Sequence, residues 1–175
     1  MFVAAEVPQD VREDIGDAIE PVRNEFPGTR WVPPENWHVT VMFLGATDPS
    51  LVPWIESQLE EAALRCPAAG VEIDGLVFWA PARRTPMLWV QLADPDRDLA
   101  RIADEVAESL ESEFPRERRK FRPHITLARA WNGTPRVGVL LERSPFSVDR
   151  LALFRSELGG PSPIYTELRK FPLGS

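Results

Sequence analysis

Two short runs, His38-Val-Thr-Val and His124-Ile-Thr-Leu, stand 86 residues apart, about half the length of a 175-residue chain. Each lies in a stretch that alternates polar with apolar residues, the pattern of a half-buried strand. Successive side chains of a strand point to opposite faces, so His38 and Thr40 share one face while Val39, Val41 and Phe43 share the other. In the second copy His124 and Thr126 oppose Ile125 and Leu127. Any fold must therefore cover one face of both strands and leave a polar pair on the other. A single domain, residues 1–175, built of two pseudo-symmetric lobes meets that demand, and the length suits one domain.

The rest of the chain supplies the cover. Phe2 to Val7 reads as a strand, and Pro8 opens a helix with Val11, Ile15, Ala18, Ile19 and Val22 on one stripe. The first motif belongs to a strand over Trp37 to Leu44. Asp48 and Pro49 read as the cap and first residue of a second helix, carrying Leu51, Ile55, Leu59 and Ala62 and closed by Pro67. Strands follow over Val71 to Trp79 and Met87 to Leu92, joined by a turn through Pro81 to Pro86. Asp94 and Pro95 repeat the cap chemistry before a third helix with Leu99, Ile102, Val106 and Leu110, ending near Phe114. The second motif strand covers His124 to Arg129, a loop runs through Gly133 and Pro135, and two strands, Phe146 to Arg155 and Ile164 to Phe171, complete an α+β sandwich.

Composition narrows the function. Net charge is −7, the wrong sign for a protein that coats long nucleic acid by counterion release, so any nucleic-acid contact is local. No run approaches the ~20 apolar residues of a membrane span. Two histidines are few for a transition-metal site, and none is expected. One cysteine, Cys66, allows no internal disulfide and suits a reducing compartment; the expected address is the cytoplasm.

One polar pair alone reads as the solvent-facing half of a strand, where Thr is favoured and His tolerated. Two copies weigh against that, because the chain holds 7 threonines. Random placement sets Thr two residues after both histidines only about once in 600. If the pairs converge across a groove, one imidazole can remove a proton from a nucleophile while the other protonates a leaving group. Threonine hydroxyls beside them suit the non-bridging oxygens of a phosphate. The chemistry indicated is phosphodiester cleavage without a metal or cofactor. A module that binds a phosphorylated end without turnover stays open as an alternative, although pure binding needs no pair of titrating groups.

The motifs and their flanks, FVAAEVP at the start, RWVPPENWHVTVMFLG around His38, FRPHITLAR around His124, then VDRLALFRSEL and IYTELRKFPL, resemble the two-histidine phosphoesterases. More closely they resemble the bacterial and archaeal RNA 2′,3′-cyclic phosphodiesterases, also called 2′-5′ RNA ligases. The resemblance implies a bilobal α+β fold in which two antiparallel sheets form a central groove with helices outside. It implies catalysis by His38 and His124, with His124 as base and His38 as acid, and substrate binding by Thr40, Thr126 and Arg129. The implied partners are RNA 3′ ends or nucleoside 2′,3′-cyclic phosphates, acted on by a monomer with no cofactor, membrane or obligate protein partner. Another small cyclic phosphate or a 2′-5′ oligonucleotide is the alternative substrate.

Five residues past His124, Arg129 points away from the histidine face in a regular strand, so a groove role requires a bulge or the strand's end. Met42 stands on the His38 face where relatives often carry Lys. Phe43 reads as core by its parity; Trp31 and Trp37 are open as stacking surfaces, and Tyr165 is equally a groove aromatic or a packed strand residue. Arg116, Arg118, Arg119, Lys120 and Arg122 read as a solvated basic loop that can also guide an RNA end.

Overall fold

A computed structural model describes residues 1–80, 85–117, 119–129, 141–157 and 163–174. Its strands are β1 (Phe2–Glu6), β2 (Arg30–Trp31), β3 (His38–Phe43), β4 (Ala69–Trp79), β5 (Met87–Ala93), β6 (His124–Arg129), β7 (Pro145–Val148), β8 (Arg150–Glu157) and β9 (Ile164–Pro172). They pair antiparallel in the order β7-β4-β5-β6-β3-β1-β8-β9, with β2 lying against β6. The halves β7-β4-β5-β6 and β3-β1-β8-β9 are joined where β3 runs beside β6, at the registered pair Val39↔Ile125, and an isolated bridge Pro67↔Gly174 links their outer ends.

Three helices, α1 (Gln9–Glu25), α2 (Val52–Arg65) and α3 (Asp98–Ser109), bury the stripes their spacing announces. Val11, Ile15, Ile19 and Val22 of α1, Ile55 and Leu59 of α2, and Leu99, Ile102 and Val106 of α3 join one core with the inward residues of the strands. Val39, Val41, Ile125 and Leu127 all belong to that core, so the helices cover the motif strands on the face away from the histidines. Val39 and Ile125 are fully buried at the junction of the two halves, where truncation of either side chain leaves a cavity.

Several boundaries differ from the sequence reading. The helix expected directly after Pro95 begins at Asp98, because Arg97 sits at φ 58 and breaks the helical path. Asp94 still caps it from a distance, accepting hydrogen bonds from the backbone N–H of Leu99 and Ala100 at 3.2 and 2.8 Å. The second helix starts with a tight 3-10 turn, Pro49–Leu51, and the Asp48 carboxylate accepts the backbone N–H of Ser50 within it. The strand expected over Phe146 to Arg155 divides at Asp149 into β7 and β8, and these join opposite halves of the sheet. β2, two residues long, carries no periodicity to read. Most of the turn at Pro81 to Pro86 and the loop through Gly133 and Pro135 lie outside the described residues, as does Arg118.

Candidate active site

The pair Val39↔Ile125 fixes the site. In an antiparallel register it sets His38 across from Thr126 and Thr40 across from His124, all four on the face opposite the buried Val39 and Ile125. The histidines then occupy diagonal corners, a relation that spans about 7–8 Å in a regular ladder. Four residues expected at the site from two distant segments are thus brought together by one contact between strands.

Each motif strand carries the same irregularity immediately after its threonine. Against β1, Thr40 pairs with Ala4 and Met42 with Val3, leaving Val41 as an extra residue. Against β5, Thr126 pairs with Trp89 and Ala128 with Leu88, leaving Leu127 extra. A bulge of this kind reverses the alternation beyond it. Both extra residues sink into the core, and beyond them the Phe43 ring lies beside Phe2, which stacks on His38, while the Arg129 charge acts on both histidines.

That reversal revises three expectations. Arg129 reaches the groove side; it pairs with Met87, its guanidinium lies 3.6 Å from the Met87 Sδ, and its charge acts on both histidines. Met42 leaves the His38 face and packs against the core, so a residue at this position does not meet the groove. Phe43, expected in the core, is 66% exposed, with its ring 6.2 Å from that of Phe2. The regular-strand parity failed because the alternation is broken at Val41.

The two imidazoles are held alike. His38 donates from Nδ1 to the carbonyl of Asn36 at 2.7 Å, and His124 donates from Nδ1 to the carbonyl of Arg122 at 2.8 Å. In each case the acceptor is two residues upstream, and the bond leaves Nε2 as the basic nitrogen of the neutral ring. The Nε2 of His38 accepts from the Thr40 hydroxyl at 3.1 Å.

Their surroundings differ. His38 stacks on Phe2 with ring centres 4.8 Å apart, and Phe154 and the edge of Tyr165 complete an aromatic enclosure. Burial there pushes its pKa down to about 4; the Asn36 carbonyl opposes the shift, while the charges of Arg129 and His124 add to it. His124 rests against Trp89 at 4.7 Å, and burial followed by the Arg129 charge lowers its pKa against the pull of the Arg122 carbonyl. Phe2, Phe154 and Trp89 escaped the sequence reading because nothing in their own segments singles them out. The alternation of β1, with Phe2, Ala4 and Glu6 on one side, was the available signal. Tyr165 proves to be a groove aromatic, whereas Trp37 is buried and bonds the Val32 carbonyl through its indole N–H.

A polar cavity of about 550 Å³ opens beside His38 between β1, the start of α1 and β9. Its cations are largely engaged: Lys170 meets Glu6 at 2.7 Å, and Arg150 meets Asp149 at 2.8 Å. Among the described residues no group of three or more His, Cys, Asp or Glu side chains gathers to hold a metal, and no helix is long and apolar enough to cross a membrane.

The sequence and the fold of this chain are similar to those of described proteins. A family model for the 2′-5′ RNA ligase superfamily matches residues 7–160. A protein of Thermus thermophilus named RNA 2′,3′-cyclic phosphodiesterase is 33% identical, over 99% of this chain and 89% of its own length. The crystal structure of TT0787, also of Thermus thermophilus, superposes with a TM-score of 0.85 at 30% identity, covering 98% of this chain and 96% of that one. The structure of Escherichia coli LigT with 3′-AMP shares the fold, with a TM-score of 0.81 at 23% identity and coverage of 99% and 97%.

Proposed function

Because the chain belongs to the 2′-5′ RNA ligase superfamily, we propose that it is an RNA 2′,3′-cyclic phosphodiesterase, opening the cyclic phosphate at an RNA 3′ end to a 2′-phosphomonoester. The observation that carries this reading is the duplicated motif strand: two His-x-Thr pairs on one face across Val39↔Ile125, with Arg129 electrostatically coupled to both imidazoles. The relative of Thermus thermophilus with that name supports the substrate class.

Water attacks the phosphorus, and the Nε2 of His124 takes its proton. The bond from phosphorus to the 3′-oxygen breaks, and protonated His38 delivers its proton to that oxygen. The 2′-oxygen keeps the phosphate. Thr40, Thr126 and Arg129 hold the non-bridging oxygens, Arg129 through its planar fork. With a 5′-hydroxyl in place of water the same transfer yields a 2′-5′ linkage. Both histidines are predominantly neutral near pH 7 in the free protein, since burial lowers both pKa values. An anionic phosphodiester between them offsets the Arg129 charge and favours protonation of the acid. Proton transfer by the imidazoles needs no metal, so chelator leaves the rate unchanged.

All the groups invoked come from one chain, so the proposed reaction asks for no second subunit, and the proposed form is a monomeric domain of two pseudo-equivalent lobes; the matching bulges after Thr40 and Thr126 support that division. Cys66 is a buried free thiol, in keeping with action in the reducing cytoplasm. Incubation with a nucleoside 2′,3′-cyclic phosphate, followed by phosphorus NMR of the product, tests the assignment. The 2′-monophosphate alone is expected; a 3′-monophosphate, or no turnover, refutes it.

A further inference from the structure

Among the cations that line the cavity beside His38, Arg12 stands apart. Arg150 lies 2.8 Å from Asp149 and 3.7 Å from Glu6, and Lys170 lies 2.7 Å from Glu6 and 3.3 Å from Glu167. Arg12 lines the same cavity, is half-buried, and has no hydrogen-bond or carboxylate partner for its side chain among the described residues. The fold thus withdraws a guanidinium partly from water without supplying an acceptor for its five N–H donors, and a desolvated, unpaired charge is costly. Glu35, the lining carboxylate that makes no ion pair among the described residues, is exposed on the tight turn Pro34–Asn36 and does not meet Arg12.

Arg12 is held there for a local reason. β1 ends at Glu6, registered against His38, and α1 begins three residues later at Gln9. Val11 and Ile15 turn into the core, which leaves Gln9 and Arg12 of the first turn on the cavity side. The buried stripe of α1 fixes the rotation of the helix, and with it the direction of the guanidinium.

The connectivity of a nucleotide says which group reaches this side. In the proposed reaction the 3′-oxygen leaves toward His38, so C3′ of the terminal ribose lies beside that imidazole. C3′ is bonded to C4′, which carries the 5′-carbon and its phosphate, whereas the base hangs from C1′, beyond C2′. The phosphate that joins the terminal nucleotide to the strand before it therefore extends on the His38 side, one ribose from the reacting phosphorus. A cavity of about 550 Å³ has room for it.

We propose that Arg12 and the cavity beside His38 form a subsite for this 5′-phosphate, by which the enzyme separates an RNA end from a free nucleoside 2′,3′-cyclic phosphate. The subsite rests on the phosphodiesterase reading with His38 as the acid and adds to it the residue that selects the polynucleotide. The planar fork of Arg12 donates to the non-bridging oxygens of the phosphodiester, a contact that carries no base preference. A free nucleoside cyclic phosphate has a hydroxyl at that position and leaves the guanidinium unpaired.

The test compares kcat/KM for adenosine 2′,3′-cyclic phosphate with that for the same compound bearing a methyl phosphodiester on its 5′-oxygen, which supplies the charge of a strand without a second nucleoside. The unaltered protein favours the diester by roughly 10- to 100-fold, the scale of hydrogen bonds to a charged group. Arg12→Ala removes most of that preference, Arg12→Lys keeps part of it, and Arg12→Glu reverses it. Equal use of both substrates, or a preference untouched by Arg12→Ala, overturns the subsite. So does a preference for a 5′-monoester with none for the methyl diester, because the link within a strand is a diester. Isothermal titration gives an answer independent of turnover, with adenosine 2′-phosphate set against the same nucleotide bearing the 5′-methyl phosphodiester. Tighter binding of the diester, weakened by Arg12→Ala, supports the subsite even if no cyclic phosphate is hydrolysed, and equal Kd values refute it. Absence of hydrolysis of either cyclic compound by the unaltered protein counts against the phosphodiesterase reading alone.

Discussion

Strands β3 and β6 run alike for four residues and then part. Both present His-x-Thr, both anchor the histidine Nδ1 on a carbonyl two residues upstream, and both bulge after the threonine. Past the bulge one strand delivers Phe43 and the other Arg129 to equivalent positions. The aromatic walls differ as well: His38 is enclosed by Phe2, Phe154 and Tyr165, whereas His124 rests on Trp89. In the proposed reaction this duplicated framework supplies the two proton-transfer groups, and the unmatched residues around them distinguish the side that grips the phosphate. The backbone device is common because it positions the imidazoles; the side chain that it exposes is free to differ because neither imidazole is anchored through it.

The strongest way to break this comparison is to remove each imidazole in turn. His38→Ala and His124→Ala each lower kcat by about 10²-fold or more in a steady-state assay. Retention of near-normal turnover by either variant ends the idea of two matched groups. The next effect concerns the contact that joins the halves. Ile125→Ala destabilises the fold by about 2–5 kcal/mol, as cavity formation at a fully buried position does, and thermal unfolding followed by circular dichroism reads it. A shift of less than about 1 kcal/mol means that the halves are held together elsewhere.

Arg129→Ala sharpens the contrast with Phe43. Loss of a cation coupled to both histidines raises KM or lowers kcat by roughly tenfold, on the scale of one charge-assisted hydrogen bond. It also lets both imidazole pKa values rise, which proton NMR of the two rings measures directly. Histidine resonances that do not move place the guanidinium outside the groove.

The smallest effects are in the pH profiles. Because both pKa values are lowered in the free protein, the bell for kcat/KM centres below pH 6.5. Bound phosphate raises them, so the bell for kcat lies at higher pH. Stability carries the same sign: a histidine that resists protonation when folded makes the protein less stable as pH falls from about 6.5 through about 4. His38→Gln flattens that decline in a urea-unfolding series. Coincident profiles for kcat and kcat/KM contradict the coupling of the pair to phosphate charge.

Much of the fold was legible in advance. The span His124–Arg129 is a strand as its alternation announced, and the stripes Val11, Ile15, Ile19, Val22 and Ile55, Leu59 are buried as their spacing required. Arg97 illustrates what was not. Its left-handed backbone delays α3 past the apparent cap at Asp94, and no propensity forecasts that conformation for arginine. The division of β7 from β8 at Asp149 was equally hidden, since partners in opposite halves of the sheet impose it.

The sequence by itself determined which residues are the candidates for chemistry and which strands carry them, because alternation and the repeat of His-x-Thr are local properties. Only the tertiary structure decided what stands around them. Register with β1 and β5 makes the bulges, the bulges reverse the faces of Met42, Phe43 and Arg129, and packing across β1, β8 and β9 encloses His38. A strand's sequence states its alternation, but where that alternation breaks is set by the neighbour to which it is bonded.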